Sequence, residues 1–206
     1  DVATKVLGTT LLDYQGAARA RRWLDLVARA AAADDADHGF ELTEAVAEGW
    51  FKLLTYKDEY EVARLHLRLE LEEVAAELGA ADGYRVQYHL HPPTLRRLGL
   101  DRKIALGGRG GRALFRGLAA LRHVRGTPLD VFGYARHRRE ERQVADEYAG
   151  LVDAAISRLT PDTYAAAVQL ASSVAAIRGY EDIKSAAIER WRADTAGLRD
   201  AVAARG

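Results

Sequence analysis

His89 and His91 stand two residues apart in a stretch where Tyr84, Val86, Tyr88 and Leu90 alternate with polar residues. Period-two alternation is the pattern of a half-buried strand, so both imidazoles leave one face, in a row with Arg85 and Gln87. That geometry permits metal binding. A zinc or iron site needs a third and usually a fourth ligand, and no Asp, Glu or His follows nearby in register. The row therefore reads either as a polar strand face or as a contact for an anion or a partner. A second candidate is residues 106–112 (LGGRGGR), between a possible strand and a helix. Backbone N–H groups of a glycine loop at a helix start can cradle phosphate, with Arg109 and Arg112 as the charges. The stretch matches neither the dinucleotide fingerprint nor the Gly-Lys-Ser/Thr of a P-loop. A surface turn is the plainer account of its glycines.

Tyr56, Lys57, Asp58, Glu59, Tyr60 and Glu61 gather ionisable groups at a helix start. Acids in a first turn meet the positive end of the helix dipole, and this explains them without catalysis. Arg136, His137, Arg138, Arg139 and Arg142 form a basic run that Glu140 and Glu141 dilute. Nucleic acid is the wrong partner for a chain of zero net charge without a nucleic-acid motif. At helical spacing the run can pair internally, Arg138 with Glu141 for example. An interdomain salt-bridge face, joined by Arg125, is the expected role. No HExxH or GxSxG occurs and no catalytic residue is assigned.

The elements that must position these residues come from an ordinary globular composition. With 49% hydrophobic and 29% charged residues, the 206-residue chain can bury a core of its own. The absence of cysteine excludes disulfides, thiolate nucleophiles and Cys-held zinc or iron–sulfur clusters. Methionine is absent too, even at position 1, which suggests a domain cut from a longer chain. No secretory leader and no membrane span stand out, so a cytoplasmic setting and no membrane partner are expected. Residues 96–142 hold 13 Arg or Lys against 4 Asp or Glu, a net of +9 balanced by −9 elsewhere. Such asymmetry calls for internal pairing or an acidic partner.

The fold class expected is mainly α: a single helical domain, residues 1–206, of about six helices with a small two-stranded β element. Ala20, Trp23, Leu24, Val27, Ala30 and Ala31 recur at helical spacing and predict a first helix over 9–33. Thr43 can cap a second, and Asp58 with Glu61 gives a capping-box-like restart of a helix that runs to about Leu78. Strands follow at 84–90, stopped by Pro92-Pro93, and at 103–106. A helix around Leu114–Leu121 comes next, then helices over 130–159, from Thr160-Pro161, and after Gly179.

Two phrases, Tyr56 to Leu65 (YKDEYEVARL) and Arg125 to Arg142 (RGTPLDVFGYARHRREER), resemble the C-terminal region of fused indolepyruvate ferredoxin oxidoreductases, of the 2-oxoacid:ferredoxin oxidoreductase superfamily. Tyr88 to Pro93 (YHLHPP) and Ile177 to Lys184 (IRGYEDIK) are similar to further phrases of that region, which spans about 42–198. The resemblance implies a parent enzyme that oxidatively decarboxylates aryl 2-oxoacids to acyl-coenzyme A. Thiamine diphosphate, magnesium and iron–sulfur clusters would be the parent's cofactors, and ferredoxin its electron acceptor. None of those cofactors is expected in this chain. The resemblance implies an accessory domain whose partners are the parent's catalytic domains, with Arg125, Arg136, Arg138, Arg139 and Arg142 as an interface. The alternative is a small-molecule domain in which His89, His91, Arg109 and Arg112 contact coenzyme A or another anion.

Overall fold

A computed structural model describes residues 2–79, 83, 85–90 and 104–203. In chain order these are α1 (Val2–Gln15), α2 (Ala17–Ala33), α3 (Glu41–Leu54), α4 (Glu59–Leu67) and α5 (Leu71–Glu77). Strands β1 (Gln87–Leu90) and β2 (Ile104–Gly107) lead into α6 (Gly108–Ala120), which ends in a 3-10 turn, Leu121–Val124. Then come α7 (Arg136–Ser157), α8 (Pro161–Ser172) with its own 3-10 extension Ser173–Ala176, α9 (Glu181–Asp194) and α10 (Ala196–Ala203). The described residues are mainly helical with one small β pair, as the periodicity predicts.

Its elements group into two compact units, Asp1–Tyr56 with Arg136–Gly206, and Lys57–Ala135. The first unit is a helical bundle. Trp23, Leu26, Val27 and Ala30 of α2, Val46, Trp50 and Leu54 of α3, Tyr148 and Val152 of α7 and Leu170 of α8 share one core. Aromatic rings bring polar atoms into that core, and each finds an acceptor. Trp23 Nε1 donates to the Ala47 carbonyl at 2.9 Å, Tyr148 Oη to the Ala171 carbonyl at 2.9 Å and Trp191 Nε1 to Ser173 Oγ at 2.7 Å. Tyr14 Oη donates to the Tyr56 carbonyl at 2.6 Å, which ties α1 to the end of α3. The second unit holds α4, α5, the strand pair and α6, with Tyr60, Ala63, Phe115 and Ala119 among its buried side chains.

Several expected helices are subdivided. The single helix over 9–33 is two, because Gly16 takes φ 105°, a left-handed value that no helix interior accepts. The long helix ending near Leu78 is likewise α4 and α5, separated by a turn at Arg68. The helix expected from Asp130 begins only at Arg136, because residues 126–135 form turns about the Asp130 side chain. Thr160 and Pro161 do open α8: the Thr160 N–H donates to Thr163 Oγ1 at 2.8 Å and proline sits at the first helical position.

Thr43 does not cap α3. The helix starts two residues earlier, after Phe40 in the left-handed region, a residue with no side chain to offer the bare N–H groups. Remote residues serve instead. The Thr43 N–H and hydroxyl both donate to Asp34 Oδ2 at 2.8 Å, the Tyr164 hydroxyl donates to Asp34 Oδ1 at 2.9 Å, and the Leu42 N–H donates to Tyr164 Oη at 3.3 Å. Partial burial pulls the Asp34 carboxyl upward, but the donors from Thr43, Tyr164 and the Asp35 N–H outweigh it and hold the group below the usual carboxylate range.

Where α3 crosses α7 and α8 the backbones come close. A Cβ on Gly49 would lie 2.6 Å from Tyr148 Oη, 2.7 Å from the Ala171 carbonyl oxygen and 2.9 Å from Val174 Cγ2. Gly49→Ala is therefore expected to destabilise the first unit by about 1–3 kcal/mol, against a helix-propensity gain of up to ~1 kcal/mol. Chemical denaturation followed at the tryptophans reads the sign, and a raised midpoint would refute the close packing. Asp34→Ala should cost about 1.5–3 kcal/mol at neutral pH, the scale of hydrogen bonds to a charged acceptor. Because the folded pKa is depressed, the stability it supplies is present above the unfolded value near 3.8 and is lost as pH falls through the folded value. Wild type and variant should then converge in acid, as pH-dependent melts can test.

Candidate functional site

In the second unit the acid–tyrosine cluster of the sequence becomes a buried network. Asp58 caps α4, its Oδ1 accepting the Glu61 N–H at 2.9 Å. The reciprocal half of the expected capping box is absent among the bonds described: Glu61 takes Arg64, Nε to Oε2 at 2.8 Å and Nη2 to Oε1 at 2.6 Å. Arg125 reaches the same Asp58 from a point 67 residues along the chain. Its Nη2 donates to Oδ1 at 2.8 Å and its Nε to Oδ2, a two-pronged pairing between side chains that are 1% and 3% exposed. The Arg125 guanidinium lies 5.6 Å from the centre of the Tyr60 ring.

Tyr60 hands the network on. Its hydroxyl donates to Asp130 Oδ1 at 3.1 Å, and Asp130 also accepts the Gly133 N–H at 3.0 Å on that oxygen and the Gly126 N–H at 2.7 Å on the other. Burial pushes the Tyr60 phenol up, and the Asp130 carboxylate beside it, as charge and as acceptor, pushes it further, so the hydroxyl stays a donor. Phe132 turns inward, edge-on to Tyr60 with centroids 5.2 Å apart. The residues between turn outward. Leu129 is 74% exposed, Val131 66% and Tyr134 62%, although the Tyr134 hydroxyl bonds the Pro128 carbonyl at 2.9 Å. This loop has an ionic interior and an apolar rim, the reverse of the usual arrangement.

Of the arginines expected to form a basic interface, two are withdrawn from water. Arg125 is interior, since Asp58 and the Tyr60 ring enclose it. Arg138 is largely buried, pairs with Glu141 at 2.8 Å as its spacing predicts, and lies 5.4 Å over the Tyr56 ring. Glu141 also receives Lys184 Nζ at 2.6 Å, from the IRGYEDIK phrase. Arg136 is exposed and bonds Glu140 at 2.8 Å, while Arg139 is exposed and Arg142 half-buried. A hydrogen bond from the Ser185 hydroxyl outweighs partial burial of Glu140 and, with Arg136, keeps its carboxyl below the ordinary range. The acids inside the run, which the spacing only partly foretold, absorb much of its charge.

The candidate anion residues lie only partly among the described residues. Strands β1 and β2 are antiparallel, with Gln87 opposite Gly107, Tyr88 opposite Leu106 and His89 opposite Ala105. The His89 side chain and all of His91 lie outside the described residues, so a convergence with Arg109 and Arg112 is not on view. Both arginines are exposed on α6, which begins directly at Gly108 with no intervening loop. One glycine of the run has a packing reason: a Cβ on Gly111 would lie 2.1 Å from a Tyr88 ring carbon. Tyr88, Phe115 and His66 form an aromatic cluster there, with Tyr88–Phe115 centroids 4.8 Å apart and His66–Phe115 5.1 Å. Among the described residues no group of three His, Asp or Glu is placed to hold a metal ion, and no helix is long and apolar enough to cross a membrane.

The fold and these clusters define a mainly helical protein in which a buried ionic network braces a loop that carries exposed apolar residues. Residues 7–197 match DUF6537, a family of unknown function, and the chain belongs to that family. No curated protein and no solved structure matches it.

Removing one partner of a buried ion pair leaves the other charged and unsolvated, at a cost of about 3–5 kcal/mol. Arg125→Met is expected to destabilise the second unit by that amount and to raise hydrogen exchange in both 57–67 and 126–135. A companion Asp58→Leu change, which removes the stranded charge, should return part of the loss. Unchanged exchange in the loop would show that Arg125 does not brace it.

Proposed function

We propose that the chain is a non-catalytic accessory domain that docks on the catalytic domains of an indolepyruvate-type 2-oxoacid:ferredoxin oxidoreductase. The parent's thiamine diphosphate, magnesium and iron–sulfur clusters then lie in those other domains, in keeping with a chain that has no cysteine. The observation that carries this reading is the loop at 126–135. It falls inside the phrase RGTPLDVFGYARHRREER, on which the resemblance rests, and a buried network fixes it while Leu129, Val131 and Tyr134 remain in water. A loop fixed before contact loses little conformational entropy on binding. Large apolar side chains held in water become favourable when a partner covers them.

The test uses a catalytic polypeptide of an indolepyruvate ferredoxin oxidoreductase purified without this region. Binding of the 206-residue chain, measured by interferometry, is expected. The L129S/V131S/Y134S variant should bind at least about 100-fold more weakly, the scale of losing two or more central apolar contacts, with an unchanged circular dichroism spectrum. Absence of binding by the wild-type chain, or equal binding by the variant, would count against the proposal.

A further inference from the structure

Two rows of like charge face water in the second unit. Arg109, Arg112 and Arg116 sit at i, i+3 and i+7 along α6, all exposed. Glu70, Glu73 and Glu77 repeat the same spacing along α5, from its N-cap to its last residue, and are exposed too. None of the six side chains has an ion pair or hydrogen bond among the described residues. At 1.5 Å per residue each row covers about 10 Å with steps near 4.5 and 6 Å, so an acid row laid along a basic one can meet it charge for charge. Both rows also carry internal strain: Arg112–Arg116 and Glu73–Glu77 are like-charge pairs at i, i+4, which destabilise a helix. An opposite row removes that repulsion.

The flanks of the two rows match in size as well as sign. Beside the arginines, α6 presents Gly110, Ala113, Gly117 and Ala120, all exposed, with Leu114, 40% exposed, beyond them, and a Cβ on either glycine would meet nothing within 4 Å. Beside the glutamates, α5 and its end present Val74 and Leu78, 40% and 78% exposed. Small residues on one helix let another approach closely, and branched side chains on the second fill the space. The opposite face of α6 is already used, with Gly111, Phe115 and Ala119 buried.

We propose that this surface joins two copies of the chain, α5 of each lying along α6 of the other. A two-fold axis makes the contact isologous, so all twelve charges are matched at once and neither row is left over. This self-association does not depend on the docking loop and involves none of its residues.

Sedimentation equilibrium of the full 206-residue chain at low and high salt tests it. A dimer is expected at low salt, weakening as salt screens the pairs. Reversing one row, in E70R/E73R/E77R or in R109E/R112E/R116E, should raise the dissociation constant at least about tenfold, the low end for several lost surface pairs and new like-charge contacts. Mixing the two reversed variants should restore association, which a misfolded variant could not do, and the milder R112Q/R116Q should weaken the wild-type dimer at unchanged circular dichroism. The L129S/V131S/Y134S variant should dimerise as wild type does, so failure of the docking loop and failure of this interface are told apart. A monomeric wild type, a dimer that either reversal leaves intact, or no association on mixing would overturn the proposal.

Discussion

A guanidinium removed from water has to be met by acceptors in fixed places, and the carboxylate of Asp58 that meets Arg125 is already committed. Asp58 must cap α4 to satisfy the Glu61 N–H, so its position is set by the helix. Arg125 must then come to Asp58, which sets where the chain leaves the 3-10 turn after α6. From there Gly126 and Gly133 give their N–H groups to Asp130, and Tyr60 bonds Asp130 while its ring lies against the Arg125 guanidinium. An apolar cluster of similar volume could match the stability of such a pair. What the ionic version adds is direction, because each bond admits one approach where leucines would admit several.

The first unit solves a related problem with single donors. Its core is large and aromatic, and Trp23, Tyr148 and Trp191 each aim a donor at a carbonyl or hydroxyl on a neighbouring element. Such bonds add little net energy each, but leaving one unmade is costly. They therefore act on register: a helix that slid by one residue would strand a donor. Asp34 and Tyr164 do the same at the start of α3, where the local residue, Phe40, has nothing to give. Charges at the surface, such as Arg22 with Asp146 and Arg29 with Asp153, join α2 to α7 but are half in water and contribute little.

Helix and strand types were legible because they depend on periodicity, and α8 with its Thr160-Pro161 start shows how much one cap can say. The breaks were less legible. Gly16 lay inside an apolar pattern that continued on both sides, and only its φ reveals that the axis changes there. Thr43 has the chemistry of a cap yet sits three residues into α3, because a cap can be supplied from a distance and distance is what a linear pattern lacks. The pairing of Arg138 with Glu141 could be read from spacing, whereas the pairing of Arg125 with Asp58 spans 67 residues and could not. For the same reason the basic run looked like one face until Arg125 turned inward. The outward set of Leu129, Val131 and Tyr134 had no periodic signature, since a loop held by side chains has no period.

The second unit interrupts the first in the chain, leaving after Tyr56 and returning at Arg136. Arg138 over the Tyr56 ring places those two crossing points side by side within the first unit. During synthesis this imposes an order. The segment 57–135 is complete when it leaves the ribosome and can close at once, while α1, α2 and α3 must wait for α7 and α8 to arrive. At 5–20 residues per second that delay is at least several seconds. Trp23, Trp50 and Leu54 spend the interval without the helices that cover them, so the nascent chain is most in need of a chaperone before its last third emerges.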